Sequence, residues 1–188
     1  MEDLLKELTS GDDERAEAAA SSVSAYGTDA LAILEPLMHS SEADFRWWAV
    51  RALAEIPAEM SAPSLIQALN DPYLAVRQCA ALGLSRQPDA RAIPALVETM
   101  ASDDALLARL AANALEAIGA AAVPALLDVL ENGTQPVRLE AARTLAKIGD
   151  TRAIPALFHA LDEDSALMEY WANEGLERMG VGMMFFKP

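Results

Sequence analysis

Histidine, cysteine, aromatic and basic side chains are all scarce in this chain, and each shortage narrows what it can do. A single cysteine, Cys79, cannot close an internal disulfide, which fits a reducing compartment and makes a cytoplasmic location the expectation. Only 14 Lys and Arg stand against 29 Asp and Glu, a formal net charge of −15, so the long-range field repels phosphate backbones and anionic membranes and no nucleic-acid partner is expected. Apolar stretches are short: Ala117 to Leu127 is broken by Gly119 and Pro124, and nothing reaches the length of a bilayer span. Glu2 and Asp3 follow Met1 where a secretory signal would carry basic residues, so no such signal is expected. Aromatic residues make up 5% of a chain that is 53% hydrophobic, which leaves alanine and leucine to fill the interior.

What the chain has in abundance is repetition. Arg15, Arg46, Arg77, Ala108, Arg138 and Glu169 occupy one recurring slot, spaced 31, 31, 31, 30 and 31 residues apart. Seven residues after this anchor come Ser22, Leu53, Leu84, Leu115, Leu145 and Leu176. Fourteen residues before it stand Ala32, Pro63, Pro94, Pro124 and Pro155, and two residues beyond that slot Leu34, Leu65, Leu96, Leu126 and Leu157. Proline suits the first turn of a helix, where its missing N–H is not needed, so each repeat is expected to open with a short helix starting at the proline slot. Acidic turns such as Asn70-Asp71-Pro72, Ser102-Asp103-Asp104 and Asp162-Glu163-Asp164 then start a second helix through the anchor, ending near Gly119, Gly149 or Gly180. The repeats fall at about 1–27, 28–58, 59–89, 90–120, 121–150 and 151–180, with no linker between them, so residues 1–188 read as one continuous domain. Residues 181–188 are expected to cap the open end of the last pair, or else to dock a partner.

The motifs Ala-Ile-Pro-Ala-Leu (92–96), Val-Arg-x-x-Ala-Ala (137–142) and Ile-Gly-Asp (148–150) resemble the HEAT-like repeats of phycobilisome lyases. The resemblance covers 28–180, and 1–27 less clearly. The ending from Glu174 to Pro188 is similar to the phycobilisome-degradation branch of that group. The resemblance implies an all-α fold, a right-handed solenoid of six HEAT-like helix pairs, and a protein acting on or beside a pigment-bearing protein.

Along the second helix, residues 3, 4 and 7 after the anchor are expected to face inward, and residues 1, 2, 5 and 9 outward. In such a solenoid the second helices line the concave side, so stacked outward residues form ladders on a binding surface. Position 1 reads Ala16, Trp47, Gln78, Arg109, Leu139, Tyr170; position 2 reads Glu17, Trp48, Cys79, Leu110, Glu140, Trp171. Position 5 reads Ala20, Arg51, Leu82, Asn113, Arg143, Glu174; position 9 reads Ser24, Glu55, Arg86, Ala117, Lys147, Arg178. From these rows Trp47, Trp48, Arg51, Cys79, Leu82, Arg86, Arg109, Leu110, Asn113, Leu139, Arg143, Lys147, Tyr170, Trp171 and Arg178 are the expected partner or ligand contacts, since exposed aromatics beside arginine are the composition of binding hot spots. The competing reading packs the tryptophans between helices and pairs the arginines locally, Arg51 with Glu55 and Arg178 with Glu174. Arg15, Arg46, Arg77 and Arg138 are assigned to the scaffold, bonding acidic turns of adjacent repeats.

Groups that carry catalysis are thin on the ground. His39 and His159 fall at different slots, so they do not stack into a metal pair, and neither precedes the glutamate that iron-holding HEAT-like hydroxylases require. Cys79 has no histidine in register and reads as an ordinary helix cysteine. No catalytic, metal or cofactor site is expected. The function read from the residues is a non-catalytic scaffold that binds another protein. The alternative, implied by the resemblance, is a bilin-handling protein acting on phycobiliproteins, in which indoles stack on the tetrapyrrole, arginines pair with its propionates, and Glu140 or Glu174 is the only general acid or base at hand.

Overall fold

Alanine and leucine at three- and four-residue spacing, started by acidic turns, make helices from end to end. A computed structural model of the chain describes residues 2–163 and 165–181, and among them are twelve α-helices and no strand. They run as α1 (Glu2–Leu8), α2 (Asp13–Ser22), α3 (Ala30–Met38), α4 (Ala43–Leu53), α5 (Ala58–Ala68), α6 (Leu74–Arg86), α7 (Ile93–Met100), α8 (Ala105–Ile118), α9 (Val123–Asn132), α10 (Gln135–Ile148), α11 (Ile154–Ala160) and α12 (Ala166–Arg178). The result is an all-α solenoid of helix pairs. Two compact units divide the chain, Met1–Ala95 and Leu96–Pro188, the division falling within α7. In the first, α2, α4 and α6 pack in succession, with α1, α3 and α5 each against its own partner; in the second, α8, α10 and α12 do the same, with α9 on α10 and α11 on α12. The tail expected to cap or dock lies, from residue 182, outside the described residues, as does Asp164 of the last acidic turn.

The acidic turns start the second helices by capping. Asp12 accepts hydrogen bonds from the N–H groups of Glu14 and Arg15, Asp104 from Leu107 at 2.7 Å, and Ser165 from Met168. Each cap satisfies a first-turn donor that has no partner within the helix. At the other end of α10, Gly149 takes φ 68°, ψ 27°, and its N–H returns to the Leu145 carbonyl at 3.0 Å; a residue with a Cβ adopts this left-handed geometry only under strain.

Both leucine rows form the core. Leu34, Leu65, Leu96, Leu126 and Leu157 on the first helices, and Leu53, Leu84, Leu115, Leu145 and Leu176 on the second, are each no more than 1% exposed. Burial of a leucine side chain is favourable by about 1.5–3 kcal/mol, so these ten positions carry much of the stabilisation. The position before the second row is held by small residues, among them Ala52, Gly83, Ala114 and Gly175. At Gly175 the reason is contact: a Cβ there would lie 2.8 Å from Leu157 Cδ1 and 3.0 Å from Ala146 Cα.

The proline slot behaves differently from expectation in the third repeat. Pro94, Pro124 and Pro155 sit in the first turns of α7, α9 and α11, but α5 begins at Ala58, capped by Pro57, which puts Pro63 inside the helix. A proline deprives the carbonyl four residues earlier of its helical donor. For Pro63 that carbonyl belongs to Glu59, and the following repeat supplies a donor: Arg91 Nη2 donates to the carbonyls of Ala58 and Glu59 at 3.2 and 3.3 Å, while Arg152 Nη2 makes the equivalent bond to Ala120, just ahead of α9, at 2.6 Å. Each of these arginines is held by the aspartate two residues before it, Asp89 or Asp150, at 2.7 Å. Hydrogen bonds from the Arg152 side chain and backbone bring the Asp150 carboxyl down to about 2.

Two of the four anchor arginines also join repeats, Arg46 and Arg138. Arg46 forms a bidentate pair with Asp71 of the next repeat, Nε to Oδ2 at 2.7 Å and Nη2 to Oδ1 at 3.0 Å, and lies 5.4 Å from the centroid of the Tyr73 ring. Burial alone would raise the Asp71 carboxyl, but the bonds from Arg46 and from the Tyr73 N–H outweigh it and hold the group below its usual range. Arg138 reaches Glu163 of the next repeat through Nη2 alone, its Nε donating to the Leu130 carbonyl at 2.7 Å. Arg77, expected to reach an adjacent repeat, donates instead to the carbonyls of Asp71 and Pro72 in the turn of its own repeat. Arg15 departs from the expected pattern: it pairs at 2.7 Å with Glu7 on the helix before it.

Candidate functional site

The outward faces of the second helices present their expected residues in two groups, one per unit. In the first, Trp47 and Trp48 stand edge to face on α4, ring centroids 4.7 Å apart at 88°. In the second, Tyr170 and Trp171 on α12 do the same, 5.0 Å apart at 78°. The three indoles are half-buried and Tyr170 is 56% exposed, so each aromatic pair combines a packed edge with an accessible one. Leu82, Arg86, Arg109 and Arg178 are exposed; Leu110, Asn113, Leu139 and Lys147 are half-buried.

Three expected surface residues are covered instead. The Arg143 side chain is 4% exposed and that of Arg51 16%, and Cys79 is 8% exposed. The cause is the side-by-side packing of second helices from consecutive repeats, which a helical wheel drawn for one helix leaves out. On α4 and α10, position 5 lies against the preceding second helix, so the guanidinium there must find its partners between the helices, whereas Leu82 in the same row is exposed. Arg51 bonds Glu55 at 2.7 Å and Glu17 on α2; burial disfavours its charge, and these two carboxylates more than restore it. Arg143 bonds Glu140 at 2.9 Å and Asn113 on α8 at 3.2 Å. For Cys79, burial pushes the thiol up to about 12, which removes it as a nucleophile.

The arginines at the surface are paired too. Arg86 donates to Glu55 at 3.2 Å, Arg109 to Glu140 at 2.7 Å, Lys147 to Glu116 at 3.0 Å, and Arg178 lies 3.4 Å from Glu174 and bonds the Lys147 carbonyl. The basic ladder is thus largely neutralised from within. Glu140 is committed to two guanidinium groups. His39 and His159 are exposed and apart from these rows, and among the described residues no group of three His, Cys, Asp or Glu side chains converges as a metal site would require.

A cleft of about 550 Å³, not expected from the ladders, lies beside the tryptophan pair, where the end of α1, the turn at 9–11 and the starts of α2 and α4 meet. Trp47, Trp48 and Phe45 give it aromatic walls, and Asp13, Glu17 and Asp44 place carboxylates around them. A signal was available: Asp13 and Asp44 stand two residues before the anchor, the row in which Leu106 and Leu167 are 55% and 60% exposed. That row is surface. A second cleft of about 550 Å³, lined by Arg138, Arg152, His159 and Glu163 among others, lies on the first-helix side of the second unit, and three of these, Arg138, Arg152 and Glu163, make the inter-repeat bonds already described.

A family model described as HEAT repeats matches residues 31–116 and 102–177. The chain is 37% identical over 105 residues to a phycobilisome maturation protein from Synechococcus elongatus, a match covering 55% of this chain and 50% of that one. It is 35% identical over 83 residues to phycocyanobilin lyase subunit beta from a Nostoc species, covering 44% and 42%. The complex of CpcE and CpcF of phycocyanin lyase from Nostoc sp. PCC7120 shares the fold, with a TM-score of 0.55 over 94% of this chain and 76% of that one at 23% identity. The chain spans about half the length of the curated relatives it matches.

Proposed function

Because the chain belongs to the HEAT repeat family, we propose that it is a non-catalytic binding subunit that grips a phycobiliprotein, or a protein that assembles with one, through the aromatic faces of its second helices. The observation that carries this reading is the Trp47–Trp48 pair at the mouth of a cleft large enough to receive a side chain. The names of the relatives supply the kind of partner: a phycobilisome maturation protein, a phycocyanobilin lyase subunit, and a lyase whose two subunits form a complex. Paired arginines favour protein binding over chemistry, since Glu140 and Glu174, the acid–base candidates, already hold guanidinium groups.

The test is binding of isolated phycobiliprotein subunits to the full chain, with and without Trp47→Ala/Trp48→Ala. Saturable binding that weakens at least about tenfold in the double variant is expected for an anchor pair of this kind. Binding absent from the parent chain, or unchanged in the variant, refutes the proposal.

A second reading, a bilin held on the same face, is favoured by the lyase subunit among the relatives. Against it stands the pairing of Arg51, Arg109 and Arg143, since a propionate would have to displace a carboxylate from a charge-assisted bond worth about 1.5–3 kcal/mol. Titration of phycocyanobilin against tryptophan emission decides: no quenching at roughly tens of micromolar removes it.

A further inference from the structure

We infer that the cleft beside Trp47 and Trp48 receives a basic side chain, an arginine or lysine, from the protein partner. This rests on the binding role proposed above and names the chemistry of the contact. The cleft is aromatic and acidic at once: Phe45, Trp47 and Trp48 wall it, and Asp13, Glu17 and Asp44 surround them. Asp13 and Asp44 form no ion pair among the described residues, while Glu17 shares its charge with Arg51.

A second reading of Asp13 and Asp44 is that they merely complement the starts of α2 and α4, in whose first turns they lie. Helix starts carry about half a positive charge each. Counting both of these and Arg51, three carboxylates still leave the cleft about one charge negative. An acidic occupant would enter against like charge. A neutral apolar one would strip water from unpaired carboxylates without replacing it. A guanidinium or ammonium meets both needs, lying over an indole face while its donors reach the carboxylates.

The experiment uses the full chain carrying Trp171→Phe, so that emission reports Trp47 and Trp48 alone. The probes are the peptides acetyl-Gly-Ser-Arg-Ser-Gly-amide, its Lys counterpart, and counterparts carrying Glu or citrulline in place of Arg. A saturable emission change with the Arg and Lys peptides is expected, at least about tenfold weaker for Asp13→Asn/Asp44→Asn and for raised salt. The citrulline and Glu peptides are expected to give none. No saturation by about 10 mM Arg peptide, equal binding of the citrulline or Glu peptide, or Asn variants within about twofold of the parent would overturn the inference. Thermal melts of the Asn variants show whether the fold is kept, and binding of the Arg peptide to Asp44→Asn alone provides a milder second variant. A protein partner lost on Trp47→Ala/Trp48→Ala but indifferent to the Asn changes would sink the cation and leave the binding role standing.

Discussion

Removal of the Asp71 carboxylate should destabilise the first unit more than loss of a surface ion pair would. Arg46 and Asp71 are each only 10% exposed in their side chains and share two hydrogen bonds, and Arg46 Nη1 also bonds the carbonyls of Ser40 and Ser41 at 2.9 and 3.2 Å. Asp71→Ala leaves the guanidinium covered with only carbonyls and the Tyr73 ring beside it, and leaves the Tyr73 N–H without its 2.8 Å acceptor. Breaking a buried pair by deleting one partner costs about 3–5 kcal/mol, against about 0–1 for an exposed pair. With a tenth of each side chain still wetted, about 2–4 kcal/mol is expected, a fall in Tm of roughly 5–15 °C for a chain of this size. The assay is urea and thermal unfolding of Trp171→Phe protein, in which emission follows α4. Arg46→Met should cost a similar amount, and Arg46→Met/Asp71→Leu should regain most of the loss, because an apolar pair of like volume leaves no stranded charge. A single variant costing less than about 1 kcal/mol, or a double variant equal to the sum of its parts, refutes the claim that this pair joins the second and third repeats.

Gly175→Ala should lower stability by about 1–3 kcal/mol, opposite in sign to the usual gain from replacing a helical glycine, because its Cβ would meet Leu157 and Ala146 at 2.8–3.0 Å; an unchanged or raised melting temperature counts against the packing described. Cys79, its thiol pushed up to about 12 by burial, should resist a thiol reagent at about pH 8 until the chain is unfolded in guanidinium chloride, and prompt labelling of native protein would contradict that burial. Asp150, brought from 3.8 to about 2 by Arg152, contributes stability that is complete above its ordinary value and vanishes as the pH falls through about 2; urea midpoints measured across that acid range should therefore slope less in Asp150→Asn than in the parent, and identical slopes would refute the pairing.

The fold could be read from the sequence because a solenoid makes its contacts between neighbouring repeats, so a period of 30 or 31 residues carries nearly all of its geometry. The leucines seven residues after the anchor needed no tertiary information to be placed inside. Arg51 and Arg143 did, because their burial comes from the preceding second helix, where Glu17 and Asn113 meet them, and the wheel of a single helix does not contain that neighbour. Pro63 was misplaced for a related reason: Pro57 offered an earlier start, and Arg91, 28 residues beyond Pro63, satisfies the carbonyl that the later proline leaves bare. The cleft beside Trp47 escaped notice because it forms where the first repeat, whose match to the pattern is weakest, meets the second. Two of its three carboxylates, Asp13 and Asp44, lie two residues before the anchor, in a row the ladders did not include.

The reach of Arg91 and Arg152 into the preceding repeat also bears on how such a chain can grow or shrink. A cut between Pro63 and Arg91, or between Pro124 and Arg152, strands an acceptor on one fragment and a donor on the other. Duplication or loss of a stretch that keeps one proline with one arginine preserves the match. Gain or loss of one whole period therefore leaves both bonds in phase, wherever in the cycle its breakpoints fall.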